Sequence, residues 1–117
     1  MRYMLLIYME ESALNETERA RCYVESTELA RQLDAAGQFL ATAPLHPVAA
    51  GASVRVRDGA RLVTDGPFAE TREQLGGFFL IDAKDLDEAI GIAARIPGAR
   101  KGAVEVRPVM EIPGLPT

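Results

Sequence analysis

Two short, almost unbroken apolar runs, RYMLLIYM at residues 2–9 and LGGFFLID at 75–82, constrain the fold of this chain more than any other feature. Successive side chains of a strand point to opposite faces, so a strand with one wet face alternates apolar and polar residues. These runs do not alternate, and eight residues is short for a helix. Each is read as a central strand covered on both faces.

The segments around them carry other signals. Asn15 or Thr17 can cap a helix reaching about Ala36, on which Cys22, Ser26, Leu29, Leu33 and Ala36 share a face widened by Tyr23 and Ala30. Gly37 is its C-cap, and Cys22 is read as a small core residue. Residues 38–45, QFLATAPL, read as a second strand that Pro44 and Pro47 assign to an edge or a bulge. In SVRVRDGARLVTD the dipeptide Asp58-Gly59 sits between alternating arms, the pattern of a two-residue hairpin. That loop pairs Val54 with Val63 and Ala52 with Asp65 on one face, and puts Arg55 and Leu62 on the other. Asp85 followed by Glu88 opens a second helix with Leu86, Ala89, Ile90 and Ala93 as its apolar stripe and Pro97-Gly98 as its end. Ala103 to Met110 alternates and reads as the last strand, and the prolines of 111–117 make an irregular tail.

The order is therefore β-α-β, a hairpin insertion, then β-α-β: an α+β chain on the ferredoxin-like, split β-α-β plan. The first and third core strands are central in that plan, and they are the two apolar runs. Two helices cover only one face of such a sheet. A second copy of the chain, sheet against sheet, covers the other, which predicts a homodimeric α+β barrel.

Composition narrows the function. At 117 residues there is room for one domain, read as residues 1–110 with the tail beyond. A hydrophobic content of 48% with 26% charged residues suits a soluble globular protein. The net charge is −4 with no basic block, so a nucleic-acid groove is not expected. The longest apolar stretch, Met4 to Met9, is far short of a membrane span, and the reading is cytoplasmic. With Cys22 the only cysteine and His46 the only histidine, neither a disulfide framework nor a zinc or haem spacing exists, and no metal or cofactor is expected.

One motif goes further. Asp65-Gly66-Pro67-Phe68-Ala69-Glu70-Thr71 follows the hairpin directly, and Gly76-Gly77-Phe78 lies in the next strand. With MRYMLLIY at the start, VTDGPFAET in the middle, then LGGFFLID and VEVRPV, the chain resembles the YCII-related family, in its DGPF-domain branch, over residues 1–110. The resemblance implies a dimeric α+β barrel and no defined reaction. It also implies a place near transcription regulation, since proteins of this branch are often encoded beside extracytoplasmic-function sigma factors, and such a factor is a candidate partner. Some relatives in the wider superfamily have a proposed site with a histidine on the first helix and an acid near its end. Aligned on Gly37, those positions here are about Ser26 and Ala35, so that dyad is absent.

Each candidate residue has a structural and a functional reading. Asp65 either closes a turn, its oxygens accepting N–H groups of Gly66 to Phe68, or acts as general acid/base or ligand anchor on an apolar face. His46 alone has an ordinary pKa near neutrality, which suits proton transfer, although a histidine between Pro44 and Pro47 also suits a plain surface position. Tyr3 and Tyr8 lie on opposite faces of the first strand, so one of them is expected to point toward a covering sheet; Tyr8, with Phe68 packing beside the motif, is taken as a ligand contact. Gly77, with Gly76, marks either a close approach or a bulge. Arg55, with Arg57 and Arg61, grips an anion or a partner's acidic side chains, or simply solvates the hairpin. The carboxylates Asp65, Glu70 and Glu73 match no cation loop. These residues suit a small-molecule pocket between sheet and mate near the DGPF motif, with acid/base chemistry of the isomerase or lyase kind. The alternatives are a regulatory or interaction protein without chemistry, and a ligand sensor using the same pocket.

Overall fold

The two apolar runs lie side by side at the centre of an antiparallel sheet, in the computed structural model, which describes residues 1–116. Along the chain come β1 (Arg2–Met9), α1 (Glu16–Ala35), β2 (Phe39–Pro44), β3 (Ala52–Arg57), β4 (Ala60–Asp65), β5 (Gln74–Asp82), α2 (Leu86–Ala93) and β6 (Ala103–Pro108). The main sheet has the order β2-β5-β1-β6, and β3 and β4 form a separate two-stranded sheet. This is the ferredoxin-like α+β arrangement, with the hairpin inserted between its halves.

Strand register divides the apolar residues between the two faces. Tyr3, Leu5 and Ile7 of β1 stand opposite Ile81, Phe79 and Gly77 of β5. Most of this face is buried with Leu29 and Leu33 of α1 and Ala89, Ile92 and Ala93 of α2. Leu5, Phe79, Ile81 and Leu33 are among the innermost side chains, each worth about 1.5–3 kcal/mol of burial. On the reverse face Met4 and Leu6 oppose Leu80 and Phe78, all four half-buried, while the buried residues of both helices pack on the other face.

The helix ends follow from local chemistry. The Asn15 side chain accepts from the Glu18 N–H at 2.8 Å and the Asn15 N–H donates to the Glu18 carboxylate at 3.1 Å, a complete capping box. At the other end the Gly37 and Gln38 N–H groups donate to the Asp34 and Leu33 carbonyls, closing a Schellman motif. Asp85 caps α2 through the Glu88 N–H.

Three expectations are corrected. The buried stripe of α2 is Ala89, Ile92 and Ala93, while Leu86 and Ile90 are each about half exposed, because the two alanines let the helix sit close on the side carrying Ile92. That helix stops at Ala93, and Pro97-Gly98 instead begins a separate 3-10 turn. Cys22 is half-buried rather than part of the core, because α1 contributes buried side chains only from Leu29 and Leu33 in its C-terminal half. No helix among the described residues is long and apolar enough to cross a membrane.

Candidate functional site

The gap between the first half of α1 and the sheet is a cleft of about 650 Å³, a size typical of small-molecule sites. Ile7 and Phe79 of the sheet and Leu14 of the β1–α1 loop give it apolar surface. Arg19, Cys22, Tyr23 and Ser26 line it from α1, and Pro44, Leu45, His46 and Pro47 line it from the end of β2. Small side chains on α1 at Cys22 and Ser26 leave the space that larger residues would fill.

The floor owes its shape to Gly76 and Gly77. Ile7 pairs with Gly77, but Tyr8 pairs with Leu75, so Gly76 is the extra residue of a bulge. A Cβ on Gly77 would stand 3.0 Å from the Ala43 carbonyl oxygen, so β2 can lie this close only beside glycine. The Leu45 N–H donates to the Gly76 carbonyl at 2.9 Å and holds the segment bearing His46 against the bulge. His46 is exposed at the mouth.

A second, wider recess of about 780 Å³ lies next to the cleft and shares Glu10, Glu11 and Gln74 with it. Val48, Asp65, Gly66, Pro67, Glu70 and Arg72 line it. Arg72 pairs with Glu10, and the Glu11 carboxylate accepts the Val48 N–H at 2.8 Å. On the cleft side Arg19 donates to the main-chain carbonyls of Glu11 and Leu14, at 3.1 and 3.5 Å. The β1–α1 loop is thus pinned from both sides, and it forms the rim common to both concavities.

The candidates named from the sequence fall in different places. His46 and Gly77 share the cleft, whereas Asp65 lines the recess. Asp65 is exposed, contrary to the expectation of a carboxylate on a covered apolar face, because Val54 and Val63 beside it are themselves exposed. Nor does its carboxylate close the turn: the Gly66 N–H donates to Gly51 and the Ser53 hydroxyl donates to the Gly66 carbonyl, both at 2.8 Å. Tyr8 lies on the reverse face, its hydroxyl 3.4 Å from Glu105. Phe68 is 78% exposed. Arg55 is on the hairpin, on the face opposite Val54 and Val63. Arg19, Tyr23 and Leu14 went unnoticed as cleft residues. Their signal was the small Cys22 and Ser26 on a helix face otherwise meant to pack, together with paired glycines on the strand facing it.

A ferredoxin-like α+β protein with a mostly apolar cleft between its first helix and its sheet is the class that these features define. The profile of the YCII-related domain matches residues 1–113, and the chain belongs to that family. It is also 40% identical over 114 residues to an uncharacterised protein of Rhizobium meliloti (strain 1021), covering 93% of this chain and 92% of that one.

Proposed function

We propose that this chain binds a small molecule with an apolar body in the cleft between α1 and the β1/β5/β2 sheet, and that His46 exchanges protons with that ligand in chemistry of the isomerase or lyase kind. The carrying observation is the cleft itself: apolar at Ile7, Leu14 and Phe79, with His46, Arg19 and Ser26 among its polar lining. Asp65 faces the neighbouring recess across the shared rim, so it serves as an anchor for a ligand extending over that rim, not as a partner of His46. The protein acts as a homodimer whose copies cover each other's reverse sheet faces.

A thermal-shift screen against a metabolite panel tests the ligand reading. A ligand at about a hundred times its dissociation constant stabilises the folded state by about 2.7 kcal/mol. Such a ligand should shift wild type and leave Ser26→Phe, which fills the cleft, unmoved. If it shifts both equally, the cleft is not the site. With a ligand in hand, His46→Ala should keep binding and lose turnover. Binding without turnover in the wild type itself makes the protein a sensor and removes the proton-transfer role.

A further inference from the structure

We infer that the β3–β4 hairpin is an arm that packs against a second copy of this chain, an inference that rests on the proposed dimer and extends it. Among the described residues β3 and β4 pair only with each other. The two ends of the hairpin are tied to each other at its base, where the Gly66 N–H donates to the Gly51 carbonyl and the Ser53 hydroxyl donates to the Gly66 carbonyl. Val54 and Val63 oppose each other, with Val56 next along the same face, and they are 62%, 56% and 62% exposed. Alternating valines mark a face built for burial, yet nothing among the described residues covers it. An isolated two-stranded hairpin is marginal in water, and its two free edges invite pairing.

The shape of the molecule agrees. The radius of gyration is 15.9 Å, against about 13 Å for a compact chain of this length. The smallest dimension is 20 Å, the depth of one sheet and one layer of helices. Valine arm and reverse sheet face are thus both bare on one molecule, and two-fold pairing gives each copy's arm a body to rest on and closes the assembly.

Charge selects the same occupant. The arm carries Arg55, Arg57 and Arg61 against Asp58 and Asp65, on a chain of net −4. None of the three guanidinium groups forms an ion pair with a carboxylate among the described residues. A basic arm on an acidic body is complementary to another copy of that body.

Sedimentation equilibrium of wild type, Val54→Lys/Val63→Lys and Arg61→Ala at low and high salt tests the arm. All three substituted side chains are exposed, the two valines by more than half, and circular dichroism checks that the fold is kept. The valine variant should raise the dimer dissociation constant at least tenfold. Arg61→Ala should weaken the dimer at low salt and match wild type at high salt, where exposed charges are screened. A wild-type dimer whose dissociation constant neither variant changes overturns the arm and leaves the sheet-face dimer standing. A wild type that is monomeric at every concentration overturns both, without touching the ligand result. Binding of heparin that is lost in Arg61→Ala while the dimer is unchanged overturns the arm in favour of an anionic partner.

Discussion

Several single residues do here what their chemistry dictates wherever they occur. Asn15 is an N-cap because a short amide side chain reaches the N–H three residues on, and Glu18 returns the bond. Asn15→Ala removes half of this exchange and should cost about 1 kcal/mol, lowering Tm by about 4 °C, measured by thermal melt. Asp58 and Gly59 take φ values of 50° and 76°, the left-handed pair that a two-residue hairpin turn requires, and Asp-Gly announces it in the sequence. Asp65 is different. Its place at the end of β4 was legible from the register, but its exposure was not, because burial depends on whether another surface lies over Val54 and Val63.

Among the elements, α1 is the one whose role changed most between pattern and structure. Of the face read from its periodicity, Leu29 and Leu33 are buried and Ala30 packs against the core, while Tyr23 and Ala36 are exposed. Cys22 and Ser26 on the same face line the cleft. Periodicity reports direction around a helix axis, not the height of that axis above a sheet, and the cleft is a matter of height. The hairpin was legible down to its register, since turn chemistry and alternation fix both. Its ends meet at the 2.8 Å bond between Gly66 and Gly51, so it is removable. A chain with residues 52–65 replaced by a short Gly/Ser link should still melt in one transition and keep its far-ultraviolet helix signal. Loss of cooperative unfolding would show instead that the hairpin belongs to the core.

For the molecule as a whole, the apolar reverse face is the feature with the largest consequence. Met4, Leu6, Phe78 and Leu80 form a patch with Tyr8 on a slab 20 Å thick. Patches of this kind mark interaction surfaces. Leu6→Lys places a charge at its centre while the side chain keeps access to solvent. Light scattering should then give the single-chain mass of 12.7 kDa, with wild type at twice that value. A wild type at the single-chain mass would remove the proposed dimer.

The sequence by itself determined the two central strands, the helix caps at Gly37 and Asp85, the hairpin with its register and the order β-α-β, hairpin, β-α-β. Each of these follows from the local periodicity of side chains or the conformational limits of particular residues, and those act over a few positions of chain. Only the tertiary structure decided that His46 and Gly77 meet in one cleft while Asp65 lines another recess, that Tyr8 turns to Glu105, and that Cys22 borders the cleft. Those outcomes depend on how far a helix stands from a sheet and where one glycine lets two strands close up. Such distances are set by all the packed neighbours together, and no short stretch of sequence contains them.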